Sequence, residues 1–192
     1  MTRILSTMLS IAILSLVAVS SSVFADNSSY SEAITNFKKA PETREFFNNA
    51  YGYAIFPTVG KGGFGIGAAY GKGRVYRGGA HTGNSSLSQI SIGFQLGGQA
   101  YSEIIFFQTA KAYNSFTSGS FEFSAQASAV AINVGASAQA GTTGNSAGAG
   151  QGGSNHSAAA SYVNGMAIFT AAKGGLMYEA ALAGQSFTFD AK

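Results

Sequence analysis

Cysteine and tryptophan are absent from this chain, proline occurs twice, and charged residues fill only 10% of the 192 positions. The missing cysteine excludes a disulfide framework, a thiolate metal site and an acylated anchor cysteine, so packing alone has to hold the fold. Aspartate stands only at Asp26 and Asp190, which leaves no credible Ser-His-Asp arrangement. His81 and His156 both read as surface residues of polar, glycine-rich loops with no paired histidine spacing, so neither supports zinc. From Phe46 to Ser102 there is no acid at all, although Lys61, Lys72, Arg74 and Arg77 fall there. The formal net charge is only +3, which gives no reason to expect a nucleic-acid partner. A purely basic stretch suits attraction to an anionic surface, within a screening range of about 8 Å at physiological salt.

The first 25 residues read as a secretory signal peptide that is cleaved off. Arg3 supplies a thin positive start, Ile4–Val19 an apolar core diluted with serines, and Val23-Phe24-Ala25 a small-residue cleavage site. The apolar run is shorter than the ~20 residues a spanning helix needs. Cleavage after Ala25 leaves residues 26–192 as one exported domain, with ten Lys and Arg against eight Asp and Glu. A periplasmic or extracellular location is expected, with peripheral membrane association.

Residues 26–50 carry helical spacing. Ser29-Tyr30-Ser31-Glu32 fits a capping box, Ala33, Ile34 and Phe37 share a face, and Lys38 and Lys39 close the helix at its cation-favouring end. Pro41 stops that helix and opens another, Pro41–Ala50, whose apolar side is Phe46, Phe47 and Ala50. From Ala54 the period changes to two. Ala54–Phe56 reads as a short strand ended by Pro57, and Gly60–Gly63 as a glycine-dense loop. Phe64–Tyr76, Ser88–Leu96 and Ala100–Phe107 alternate as strands, with Gly97-Gly98 as a bend between the last two. Residues 109–117 suit one short helix. Phe121–Ala140, Tyr162–Thr170, Leu176–Ala183 and Phe187–Phe189 suit further strands. Residues 141–160 are low-complexity Gly, Ser, Asn and Ala and are expected to form a surface loop. Short helices followed by many strands imply an α+β fold: a dominant, glycine-rich, curved antiparallel sheet or barrel-like core.

Gly60-Lys61-Gly62-Gly63-Phe64-Gly65 formally matches a dinucleotide-binding fingerprint, but a strand follows it and the next acid is Glu103. Close strand packing explains those glycines better than an anion nest does. Glu103, Glu122 and Glu179 sit in apolar, strand-like text, and nothing in the sequence brings them together for acid-base work. No catalytic residue, cofactor or metal is expected. Phe46, Phe47, Tyr51 and Tyr53 adjoin the basic segment and are the aromatics to watch at a bilayer interface, with core packing the commoner fate.

Tyr53-Ala54-Ile55-Phe56-Pro57, followed by Val59-Gly60-Lys61-Gly62-Gly63-Phe64-Gly65-Ile66-Gly67, resembles the signature of the SYLF-domain family. Gly93-Phe94-Gln95-Leu96-Gly97-Gly98-Gln99, Glu103, Phe106-Phe107 and Lys173-Gly174-Gly175-Leu176-Met177 agree with it, over about Ser31–Phe189. The family includes yeast actin-patch proteins, animal phosphoinositide-binding proteins and bacterial exported proteins. The resemblance implies membrane-lipid binding, with Lys38, Lys39 and Lys61 at the corresponding basic positions. Lys72, Arg74 and Arg77 are added on charge alone. A signal peptide points away from actin and phosphoinositides, so ordinary anionic phospholipid is the implied ligand. The expectation is a non-enzymatic lipid-docking module. The competing expectation is a small outer-membrane β-barrel, or an envelope structural or interaction protein. The absent tryptophan and a count of six or seven strands speak against the barrel, which needs at least eight.

Overall fold

The computed structural model describes residues 27–64, 66–92, 99–123, 131–134, 161–173 and 184–192. The expected signal segment, Gly97-Gly98 bend, 141–160 loop and Leu176–Ala183 strand lie outside these residues, as do Glu179 and His156. Helices α1 (Asn27–Lys39) and α2 (Pro41–Asn49) come first, then strands β1 (Gly52–Phe64), β2 (Ile66–Arg77), β3 (Ala80–Ile92) and β4 (Gln99–Phe107). Helix α3 (Ala110–Phe116) precedes β5 (Ser120–Glu122), β6 (Ala131–Asn133), β7 (Met166–Lys173) and β8 (Gln185–Ala191). The eight strands of the described residues form one sheet in the order β5-β8-β3-β2-β1-β4-β7-β6. Every neighbouring pair is antiparallel except β6 and β7. This is the α+β architecture with a dominant curved sheet that the sequence implied, but the described residues alone hold eight strands, so the expected count of six or seven does not argue against a barrel.

Sequence and structure differ at Pro57. The strand does not end there; it runs on to Phe64, with a register shift between Ile55 and Thr58 against β2 and between Phe56 and Val59 against β4. Proline has no N–H to give a ladder, and a bulge removes that demand. The Pro57 carbonyl is still satisfied, accepting from the Ser102 hydroxyl at 2.8 Å. Gly60–Phe64 is likewise paired strand, opposite Ile66–Tyr70, so this backbone forms a ladder and not an open phosphate-cradling turn. At the N-terminus, α1 already includes Asn27 and Ser28, which puts the Ser29–Glu32 capping box inside the helix.

Alternation gives the sheet two different faces. On the inner face Ala54, Phe56, Val59, Val75, Leu87, Tyr101, Ile105, Phe107, Ile168 and Phe187 pack with Ala112, Tyr113 and Phe116 of α3. On the outer face Ile55, Ile104, Phe106 and Phe169 pack under Tyr30, Ala33 and Phe37 of α1 and Phe46 of α2. Phe46 is therefore a core residue, edge-on to Phe169 at 5.0 Å, and Phe47 is half-buried against that core, edge-on to Phe106 at 4.8 Å.

The inner face is tightly curled. Strands β8 and β4 are four places apart in the sheet, roughly 19 Å if it were flat. Yet Gln185 on β8 hydrogen-bonds Glu103 on β4 at 3.1 Å. Glycines on β2 permit this curl. A Cβ on Gly73 would stand 2.5 Å from the Phe56 ring and 2.9 Å from the Ile55 carbonyl, and one on Gly71 2.9 Å from Val59 Cγ2. Gly73→Ala is therefore expected to destabilise the protein by roughly 1–3 kcal/mol through overpacking. Gly60→Ala, with nothing within 4 Å of the new methyl, should cost much less. Urea denaturation of both variants checks the contrast, and equal costs would remove close packing as the reason for Gly73.

Candidate functional site

The six cations singled out from sequence do not form one patch. Lys38 and Lys39 end α1, with the Lys38 ammonium 5.5 Å from the Phe47 ring centroid. Arg74 is used inside the fold: its guanidinium lies 4.1 Å from the Tyr30 ring centroid and donates to Asn27 Oδ1 at 2.5 Å, tying α1 to the sheet. Arg77 lies over the Tyr113 ring at 5.5 Å, and the Tyr113 hydroxyl donates to Thr82 Oγ1 at 2.7 Å. Lys61 stands opposite Ala69, at the far end of β2 from Arg77, about 26 Å away at strand rise. Partial burial lowers its pKa. Lys72 is exposed, on the same outward phase of β2 as Tyr70 and Ala68.

Around Lys72 the outward face has a distinctive composition. Tyr70 is 50% exposed and Ile90 77% exposed. Register places Ile90 beside Ala68 and Tyr70 beside Ser88, so the two apolar side chains are diagonal neighbours. Lys72 pairs with Thr58, and the Thr58 hydroxyl accepts from the Lys173 ammonium at 3.0 Å. Two cations thus border an exposed tyrosine-isoleucine pair. The neighbouring row runs Arg74–Asn84–Asp190, which brings the one acid of this border from β8. Lys173 was missed as a site residue, because sequence alone gives no reason to set it beside Thr58. Of the four cations in the Lys61–Arg77 stretch only Lys72 and Arg74 fall on this outward face; Lys61 pairs with the inward Ala69 and Arg77 lies over Tyr113 of α3.

The inner face carries a polar cluster of its own. Glu103 is fully buried, as are Gln185 and, nearly so, Tyr101, Ser85 and Gln89. Gln185 Nε2 donates to Glu103 Oε2 at 3.1 Å and lies 3.2 Å from the Tyr101 hydroxyl. Glu103 Oε1, Gln185 Oε1 and Ser85 Oγ have no hydrogen-bond partner among the described residues. Burial pushes the Glu103 carboxyl up to about 8, against the smaller lowering effect of the Gln185 amide. Glu103 is then a neutral acid at pH 7, and its proton supplies a donor in an interior where Gln185 Oε1 is an acceptor without one. Burial and the nearby Glu103 raise the Tyr101 phenol as well.

The family model described as Ysc84, Las17-binding protein actin regulator, matches residues 88–192, more than half of the chain. The chain belongs to the Ysc84, or SYLF-domain, family. No curated protein matches it. The matched part of this SYLF domain starts at Ser88 in β3 and holds Tyr101, Glu103, Lys173 and Gln185, while α1, α2, β1 and β2 precede it. Of the three glutamates noted in the sequence, Glu103 is interior and Glu122 is exposed on β5, while Glu179 lies outside the described residues. Tyr51 is 38% exposed. Tyr53 is stacked on Tyr76 at 5.0 Å, and burial, then Tyr76, pushes its phenol up to about 12. His81, expected in a surface loop, instead lies in β3 opposite Tyr76, where its ring nitrogen is 2.9 Å from the Gly83 carbonyl, because the turn at Gly78-Gly79 lets β3 begin at Ala80. Among the described residues no group of three or more His, Cys, Asp or Glu is placed to hold a metal.

The SYLF domain's Glu103 has a sign-definite consequence. Its folded pKa lies above the ordinary 4.5, at about 8, so between those values the native state holds a proton that the unfolded chain has lost. Stability from this group therefore falls as pH rises through the window, and is level outside it. Glu103→Gln should abolish that fall. The stability difference between variant and wild type is expected to grow by up to about 1.4 kcal/mol per pH unit from pH 5 to 8. Chemical denaturation at a series of pH values reads it, and parallel curves would mean an ionised Glu103.

Proposed function

We propose that this SYLF domain is an exported, non-enzymatic module that docks on anionic phospholipid surfaces through the outer face of β2 and β3. The observation that carries the reading is the exposure of Tyr70 and Ile90 side by side, bordered by Lys72 and Lys173. A tyrosine and an isoleucine held open to solvent on a sheet lose nothing by entering the headgroup boundary, and each cation near an anionic surface adds about 1 kcal/mol. The acid-free stretch to which Lys72 belongs removes the like-charge repulsion that would oppose the approach. Lys61 pairs with the inward Ala69 and Arg77 lies over Tyr113 on the inner side, so neither belongs to this face. Arg74 is assigned to holding α1, since Tyr30 and Asn27 already occupy its guanidinium.

Helices α1 and α2 cover the outer face of β1, β4 and β7. That coverage favours a peripheral module over an outer-membrane barrel, whose outward apolar band has to meet lipid around its whole girth. Actin regulation, which the family's description names, has no comparable feature supporting it here. Export rests on the first 25 residues of the sequence, and an envelope or extracellular anionic lipid is the ligand consistent with it.

Sedimentation with vesicles of graded anionic lipid content tests the reading. Binding is expected to rise with anionic lipid and to fall at high salt. Replacing Lys72 and Lys173 with glutamine should weaken it by about 2 kcal/mol, roughly thirtyfold, and Tyr70→Ser with Ile90→Ser should weaken it without changing its salt dependence. Affinity insensitive to salt and to both pairs of substitutions would sink the proposal.

A further inference from the structure

A cavity of about 600 Å³ opens on the other side of the sheet, between α3, β5 and the turn that enters β7. Its size lies inside the range of roughly 300–1,000 Å³ typical of small-molecule sites. Phe121, Phe123, Met166 and Ile168 supply apolar lining, and all but Phe121 are buried. Lys111 and Glu122 also line it, from α3 and β5, and both are exposed at its mouth. Among the described residues no side-chain hydrogen bond or ion pair engages either of them. Two unlike charges therefore share one opening without neutralising each other.

The walls are fixed in place. Asn164 and Gly165 have φ of 51° and 77°, and Val163 and Met166 exchange backbone hydrogen bonds at 2.9 and 3.0 Å. This is a tight hairpin turn of the kind Asn-Gly favours. Gly165 accepts from the Gln108 N–H at 2.8 Å, which fastens the turn to the β4–α3 junction. A Cβ on Gly165 would lie 3.1 Å from that of Ala112. Thr109 caps α3 by accepting from the Ala112 N–H at 3.3 Å. Phe121 and Phe123 stand perpendicular with centroids 5.2 Å apart. A site so built is formed before its ligand arrives, which lowers the ordering cost of binding.

The chemistry of the lining selects the ligand. An apolar wall takes hydrocarbon, but a wholly apolar ligand would leave both charges at the mouth unused. A head of single charge would gain from one of them and be opposed by the other. A zwitterionic head uses both. We propose that this cavity binds a monoacyl phospholipid of the phosphoethanolamine class, its chain against Phe121, Phe123 and Ile168, its phosphate at Lys111 and its ammonium at Glu122. The site is on the inner side of the sheet and the docking patch on the outer side, so neither reading needs the other.

The test is titration calorimetry of the protein with myristoyl-lysophosphatidylethanolamine kept below its micelle concentration. Saturable one-to-one binding is expected. Lys111→Gln and Glu122→Gln should each weaken it about tenfold, the worth of one charge-assisted contact. Myristate and myristoyl-lysophosphatidylglycerol, which carry no cationic group, should bind about tenfold more weakly than the zwitterion. Ser115→Trp places the chain's only tryptophan on the cavity lining, and its emission should move to shorter wavelength as lysolipid is added. All three substitutions are at exposed positions, and circular dichroism confirms that each variant is folded. The proposal is overturned if no heat and no emission shift accompany the lysolipid, if neither charge substitution matters, or if the single-charge lipids bind as tightly. The Lys72 and Lys173 double variant should keep its lysolipid affinity, and Lys111→Gln its vesicle binding. Loss of vesicle docking alone would therefore count against the outer-face reading and leave this one standing.

Discussion

The close approach of Phe56 and Val59 on β1 to the glycine backbone of β2 is the contact on which the rest of the molecule depends. Gly71 and Gly73 leave room for those two side chains where even a methyl group would collide. Gly83 repeats the device on β3, where a Cβ would meet the Phe189 ring and the Asp190 carbonyl at 2.5 Å. With no disulfide available, apolar contact of this kind has to provide the stability, and at about 25 cal/mol per Å² it rewards every side chain taken fully out of water. The inner face accordingly holds a dense aromatic cluster, with Phe187 within 5.5 Å of Phe56 and 5.1 Å of Phe116.

Curling the sheet this far brings its distant strands together and creates environments that no single strand possesses. Glu103, fully exposed to water in an extended chain, ends up between Phe56, Tyr101 and Gln185, where an ionised carboxylate would be poorly solvated. A neutral acid suits that interior better, because a proton converts an orphan acceptor into a donor. Such a polar cluster restricts which alternatives the sheet can adopt. A slip of β8 by one residue would turn Gln185 away from Glu103 and expose Phe187 in its place. Register in a glycine-rich sheet is otherwise weakly specified, and a buried polar pair of this kind fixes it.

The same curl divides the molecule's surfaces by role. Helices α1 and α2 seal the outer face of β1, β4 and β7, leaving β2 and β3 open with Tyr70, Ile90 and Lys72 on show. Arg74 marks the border between the sealed and open parts: two residues from Lys72 and on the same face, it is taken up by Tyr30 and Asn27. Charge alone ranked the two residues equally, and their neighbours separate them. On the inner side, α3 and the Asn164–Gly165 turn close the end of the sheet around the cavity that carries Lys111 and Glu122.

Local chemistry in the sequence was enough to mark α2, which starts at Pro41, and α3, which starts from Thr109, since both depend on residues adjacent in the chain. Alternation marked β2, β4 and only the Ser88–Ile92 end of β3, whose Ala80–Leu87 half reads as polar loop, and the family motifs marked the domain as SYLF. The Asn164–Gly165 turn breaks the strand read over Tyr162–Thr170, so β7 begins only at Met166; the hairpin signal of that dipeptide was outweighed by the apolar text on either side. Pro57 was misleading because a bulge, which depends on both neighbouring strands, removes the need for its missing N–H. Tertiary structure alone decided which phase of each strand faces inward, that Glu103 meets Gln185 across 82 positions of chain, and that Lys173 stands beside Thr58 across 115. The physical reason is common to all three. A period of two states that a strand has two faces, whereas the side each face turns to is set by what packs against it, and those partners come from remote parts of the chain.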